Sequence, residues 1–167
     1  MDYSQINYPK PDADYGDLYQ GGYIDANTPG IHDLPIPLYI ITCNHCEPGR
    51  GDQWVDGGRI VGNLPVCITD DANGVLSDRE LMRVAEIGFN KLTHTNLYTH
   101  CALGLSRSSY INAAILMYML DISRDEALDI IKQSRPNINP IQPFRDHLER
   151  MEPSLRARKM VDGKDPE

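Results

Sequence analysis

Cys101 and Arg107 are separated by five residues in the stretch from Thr99 to Tyr110, with His100 before the cysteine, Gly104 inside the interval and Ser108 after the arginine. A chain that leaves a strand at His100 and enters a helix near Arg107 curls so that the backbone N–H groups of Ala102, Leu103, Gly104, Leu105, Ser106 and Arg107 converge on one point, and such a point is an anion site. Cys101 then lies at the base of the cradle. There the N–H dipoles, the helix N-terminus and the guanidinium all favour a thiolate, pulling its pKa below the ~8.5 of a free cysteine. Arg107 reaches over the loop, and its planar fork matches two oxygens of a phosphate in a way lysine does not. A thiolate beneath a bound phosphoryl group is a nucleophile already in line.

These residues resemble the signature of the cysteine-dependent protein phosphatases, HCxxGxxRS or HCxxGxxRT: His100, Cys101, Gly104, Arg107 and Ser108 occupy every fixed position. The resemblance implies phosphoryl transfer to Cys101 and hydrolysis of a phosphocysteine intermediate, with no metal or other cofactor. Ser108 is suited to donate its hydroxyl to the sulfur as the thiolate leaves. His100 is expected to point away from substrate and to hydrogen-bond the loop backbone, supporting the thiolate indirectly.

Expelling an alkoxide or phenoxide needs a proton donor, and a carboxylic acid held over the pocket supplies one. In the resembled family that acid lies upstream of the cysteine, between a strand and a helix. Asp70 and Asp71 lie 31 and 30 residues before Cys101 in such a place, and the family pattern favours Asp70, with Asp71 as the alternative. In some members a cysteine at the end of an earlier strand pairs reversibly with the nucleophile, and Cys43 fits that position as a redox partner. Cys43, His45 and Cys46 also invite a zinc reading. Structural zinc needs four ligands, however, and Cys67, His32 and His94 show no second paired spacing, so no metal site is read.

The elements that must position these groups are legible around them. Thr95 to His100 is the strand feeding the loop, more polar than the family's usual version. Ile111 to Leu120 is apolar almost all round, the mark of a buried helix that holds the Arg107 end of the loop. Ser77 and Glu80 make a capping box for a helix with Leu81, Ala85, Phe89 and Leu92 at helical spacing; Asn73-Gly74 before it is a turn. Ser123 and Glu126 open another helix, which stops at Arg135-Pro136. Strands are expected over Leu18 to Ile24, Pro37 to Thr42, and Arg59 to Gly62 continuing from Leu64 to Thr69. The first resembles the family's LYxGG strand. Glu47 to Gly58, with Trp54, is a surface loop. Residues 135–144 resemble a family loop beside the active site, but Ile141 stands where many members have asparagine, which leaves Gln142 as a weak candidate to position water. Leu148, Met151 and Leu155 suggest closing helical turns.

A chain of 167 residues is close to single-domain size. With 16 basic and 24 acidic residues its net charge is −8, which argues against nucleic acid or an anionic membrane as partner, since both need a basic face. There is no long apolar run or signal pattern, and four unevenly spaced cysteines do not form a disulfide framework, so a cytoplasmic protein is expected. The residue pattern is silent on oligomeric state.

The expected fold is α/β: a central, mostly parallel sheet of four or five strands flanked by helices, with the phosphate loop between a strand and a helix. The expected organisation is an extended arm over residues 1–17, a catalytic domain over 18–155 and a frayed charged tail over 156–167. The resemblance implies a compact dual-specificity-type phosphatase with a shallow cleft. The variable loop positions Ala102, Leu103, Leu105 and Ser106 include no lysine, which ranks phosphotyrosine and phosphoserine/threonine proteins above phosphoinositides or RNA 5′-triphosphates. Two other classes compete. A sulfurtransferase does not need Asp70, and a non-catalytic phosphopeptide-binding module usually loses the cysteine or the acid.

Overall fold

The computed structural model describes residues 2–23, 33–44 and 59–162, with side chains described through residue 157. Strands β1 (Tyr3–Ile6), β2 (Leu18–Gly21), β3 (Leu38–Asn44), β4 (Ile60–Cys67) and β5 (Asn96–His100) form one sheet in the order β1-β2-β5-β3-β4. β2, β5, β3 and β4 run parallel, and β1 pairs antiparallel with β2. The expected α/β architecture is the one found. β5 occupies the middle of the sheet, so the loop after His100 starts from the best-supported strand end.

Alternation along the strands divides the core. Leu18, Ile41, Cys43 and Leu97 face the helices, while Tyr19, Leu38, Ile40 and Tyr98 build a smaller cluster on the opposite face. Four helices follow: α1 (Asp78–Leu92), α2 (Arg107–Leu120), α3 (Arg124–Ser134) and α4 (Gln142–Asp162). α2 is buried from Ser108 to Met119, as its apolar sequence requires, and packs against α1, α3 and α4. Ser77 caps α1 by accepting the Glu80 N–H, and Ser123 and Glu126 form the full reciprocal box at α3. The polar residues of the feeding strand are paired at its entry: Asn96 accepts from the Asp17 N–H and donates to the Pro37 carbonyl.

Several elements differ from expectation. The segment read as an arm contributes β1, because Tyr3–Ile6 precedes Pro9 and Pro11 and its N–H groups remain free to pair with β2. The tail expected to fray from residue 156 continues α4 to Asp162, anchored by buried Leu155 and by Arg156 pairing with Asp121 and Glu152. Asn73-Gly74 lies in a turn, as expected, and the turn is a 3₁₀ one over Ala72–Gly74. Cys67 is disulfide-bonded, although the cysteine spacing does not suggest it, whereas Cys43 and Cys101 are free thiols. Among the described residues no helix is long and apolar enough to cross a membrane. Ile24, His32, His45, Cys46 and the loop with Trp54 lie outside the described residues.

Candidate active site

The loop from Cys101 to Ser106 closes one turn before α2 and lines a cavity of about 210 Å³. Asp70, Cys101, Ala102, Leu103, Leu105, Ser106, Arg107 and Asn139 form its walls. Cys101 is 4% exposed at the floor, whereas Leu103 on the rim is 69% exposed. Gly104 has φ +71, and a Cβ there would lie 2.4 Å from the Gly21 carbonyl carbon, so both backbone conformation and close approach to β2 require glycine. The Gly21 carbonyl accepts the Cys101 N–H, which seats the loop on the end of β2.

The thiol is surrounded by groups that favour its ionised form. Burial alone pushes the Cys101 pKa up. That effect is outweighed by the Ser108 hydroxyl, 3.3 Å from Sγ, the backbone N–H groups of Ser108 and Gly104, and the Arg107 guanidinium, which together hold the thiol below its ordinary value. Arg107 Nη1 donates to the Ile68 carbonyl at 3.4 Å, tying the end of the loop to the stretch that precedes Asp70.

The two aspartates have different surroundings. Asp70 Oδ1 accepts the Ser106 hydroxyl at 2.6 Å and faces the cavity with Cys101 and Arg107. Asp71 caps the 3₁₀ turn, accepting from the Asn73 N–H and the Thr69 hydroxyl. Because the Ser106 hydroxyl is turned to Asp70 and accepts the Ile141 N–H, it makes no cap bond at the start of α2. No side-chain cap therefore competes with an anion for the first N–H groups of the helix.

His100 and Gln142 make other contacts than the sequence suggests. His100 turns to the opposite face of the sheet and pairs through Nε2 with the Thr42 hydroxyl at 2.9 Å, not with the loop backbone. The alternation of β5 dictates this: Cys101 faces the helices, so its neighbour faces away. Burial lowers the His100 pKa to about 4. Cys43 is fully buried near the nucleophile, and burial together with the charge of Cys101 keeps its thiol well above its ordinary value. Gln142 donates to Asp146 on its own helix and does not line the cavity. Asn139 lines it instead, and its N–H holds the Leu105 carbonyl at 2.8 Å. Among the described residues no group of three or more His, Cys, Asp or Glu side chains is arranged to hold a metal ion.

Sequence reading misses the groups that shape the loop from behind. Arg135, read as a helix end and the start of a loop beside the site but given no role, is 7% exposed and uses all its donor atoms: Nε bonds the Gly104 carbonyl, Nη2 the Leu103 carbonyl and Asp2, and Nη1 Asp2 and Ser4. The bond to Arg135 holds the Asp2 carboxyl below its ordinary value. Gln20, fully buried on β2, donates to the Gly104 carbonyl and the Ser109 hydroxyl and accepts from Asn112. These bonds turn the carbonyls of the loop outward, and a peptide whose carbonyl faces out presents its N–H inward. Only a glutamine inside an otherwise apolar strand hinted at this network.

Comparison with known proteins agrees with the geometry. The model of the family "Dual specificity phosphatase, catalytic domain" matches residues 68–153. Dual specificity protein phosphatase 15 of Mus musculus is 28% identical over 144 residues, covering 79% of this chain and 53% of that protein. The chain thus spans about half the length of the curated relatives it matches. The crystal structure of DUSP15 superposes with a TM-score of 0.65 at 26% identity, covering 86% of this chain and 90% of the other. PTPMT1 in complex with PI(5)P gives a TM-score of 0.72 at 21% identity, covering 94% and 98%, a likeness of fold.

Proposed function

We propose that this chain, which belongs to the dual specificity phosphatase family through its catalytic domain, removes phosphate from phosphotyrosine, and from phosphoserine or phosphothreonine, of protein substrates. The observation that carries the reading is the shared cavity: a low-pKa thiol at its floor, a guanidinium beside it and a carboxyl on its wall.

In this reading the N–H groups of residues 102–107 and Arg107 hold the phosphate oxygens, and Cys101 Sγ attacks phosphorus. Asp70 protonates the departing oxygen, so the P–O bond breaks as the S–P bond forms. Asp70 then takes a proton from water as it attacks the phosphocysteine, and the Ser108 hydroxyl supports the sulfur as it leaves. These residues account for the reaction by a metal-independent route. His100 acts indirectly by fixing the strand end, Asp71 supports the turn that carries Asp70, and Cys43 is the reading's redox partner for Cys101. A nucleophile that must stay reduced supports a reducing, cytoplasmic setting, whereas the disulfide at Cys67 is unusual in one.

PTPMT1 was solved with a phosphoinositide, and such a substrate is the second reading. The loop here offers no lysine at its variable positions to meet additional phosphates, which favours singly phosphorylated protein side chains.

Hydrolysis of 4-nitrophenyl phosphate in EDTA and reductant, comparing the wild-type chain with Cys101→Ser, tests the reaction, and a phosphotyrosine peptide against PI(5)P tests the substrate class. Metal-independent activity lost in Cys101→Ser is expected. Equal rates for the two chains overturn the reading, and stable phosphopeptide binding without turnover moves it to a binding module.

A further inference from the structure

Behind the Asp70 wall lies a buried row of polar groups that the phosphatase chemistry above does not use. Tyr110, three residues beyond Arg107 on α2, is fully buried, and its hydroxyl oxygen accepts the Leu76 N–H at 3.3 Å. The same hydroxyl pairs with Nδ1 of His147, which is also fully buried. His147 Nε2 lies 2.9 Å from Asp78 Oδ1, which also accepts from Arg150 at 3.2 Å. An N–H can only donate and a carboxylate can only accept, so for the neutral ring each link has one direction: Leu76 to Tyr110, Tyr110 to His147, His147 to Asp78. Phe144 stacks on Tyr110 at 4.4 Å and 2°, which stops the ring from swinging the hydroxyl away.

The location gives the row its meaning. Leu76 and Asp78 flank Ser77, the cap of α1, where the stretch bearing Asp70 enters that helix. The entry to the same stretch is tied through Ile68, whose N–H bonds the Asn44 carbonyl and whose carbonyl accepts from Arg107. Among the described residues the Asp70 side chain has a single hydrogen bond, from Ser106, so its position depends on how the two ends of its stretch are held.

We propose that Tyr110 and His147 are positioning residues for Asp70, a latch that fixes the exit of the Asp70 stretch to the helix carrying Arg107. The inference rests on the phosphatase reading of the same site. Misplacement of a catalytic group by about 1 Å costs about 10²-fold in rate, and a loosened exit should lose part of that.

Tyr110→Phe keeps the ring and its stack and removes only the hydroxyl. His147→Asn retains an acceptor near the Nδ1 position and loses the link to Asp78. Turnover of phenyl phosphate, a poor leaving group, and of 4-nitrophenyl phosphate, a good one, is measured together with amide hydrogen exchange over residues 69–77 and 101–107. Tyr110→Phe is expected to lower kcat on phenyl phosphate about tenfold and on 4-nitrophenyl phosphate about twofold, with KM unchanged. Exchange should rise about tenfold at Leu76 and its neighbours and stay constant in the loop, with His147→Asn intermediate. Equal losses on both esters, exchange rising equally in both segments, or unchanged exchange at Leu76 each overturn the latch. If the wild-type chain hydrolyses neither ester above the Cys101→Ser level, the phosphatase reading fails. The exchange at Leu76 then decides the latch alone, a local rise supporting it and no rise overturning it.

Discussion

The floor of the cavity and its Asp70 wall face the same space but are held differently. The floor is gripped from behind at three successive carbonyls: Leu103 by Arg135, Gly104 by Arg135 and Gln20, and Leu105 by Asn139 and the Ser109 hydroxyl. Among the described residues the wall presents Asp70 on one hydrogen bond, from Ser106, with the grip displaced to the ends of its stretch. The difference follows from the chemistry each side would perform. A cradle for an anion works when its dipoles are already oriented before charge arrives, and rigid donors supply that orientation. A proton donor must suit leaving groups of several shapes, so its carboxyl needs a defined reach more than a locked rotamer.

The comparison can be broken most directly at the floor. Cys101→Ser is expected to lower turnover by roughly 10⁴-fold or more while inorganic phosphate still inhibits or binds, measured by single-turnover kinetics and calorimetry. Loss of phosphate binding in that variant would mean the loop depends on the thiolate for its shape. Arg107→Lys should cost about 10²- to 10³-fold, because an ammonium cannot supply the two-pronged contact.

At the wall the effect should be smaller and selective. Asp70→Asn is expected to slow phenyl phosphate by about 10²-fold and 4-nitrophenyl phosphate by less, whereas Asp71→Asn should change both by less than about threefold. Identical behaviour of the two variants would remove the distinction between the carboxyl facing the cavity and the one capping the turn. The thiol itself offers a finer probe. Iodoacetate alkylation of Cys101 should show a midpoint below that of free cysteine, and Ser108→Ala should move the midpoint upward because the hydroxyl favours the thiolate.

The smallest effect concerns stability at His100. Its pKa is lowered from 6.5 to about 4 by burial, so the unfolded chain binds the proton more readily than the folded one. Stability from keeping this ring neutral is therefore full above about pH 6.5 and falls as the pH drops toward 4. His100→Gln should flatten that part of the pH profile of the thermal midpoint. An unchanged slope would show that other groups govern acid unfolding.

Some of this molecule is decided locally, and those parts were legible from residue order. The spacing of Cys101, Gly104, Arg107 and Ser108 implied the loop, because a strand-to-helix turn needs glycine where φ is positive and chemistry needs a thiol and a guanidinium on the same anion. Ser77 and Ser123 marked helix starts, because a cap acts on N–H groups three residues away. The apolar run in α2 declared its burial for the same local reason.

Tertiary structure alone decided what grips these parts. Arg135 reaches Asp2 across 133 residues, and Gln20 reaches Gly104 across 84. No periodicity encodes such pairs; they arise because β2 lies beside β5, and β1 beside β2, in the sheet. Between Asp70 and Asp71 the family pattern favoured Asp70 without giving its geometry, since adjacent residues point in different directions and only the packed α2 N-terminus shows which carboxyl Ser106 meets. His100 was expected to hydrogen-bond the loop backbone and instead pairs with Thr42 on β3, because strand alternation turns it to the far face. Residue order determined which groups could do the chemistry; sheet order and helix packing determined which of them meet, since contact distance depends on where the chain returns and not on how far it has travelled.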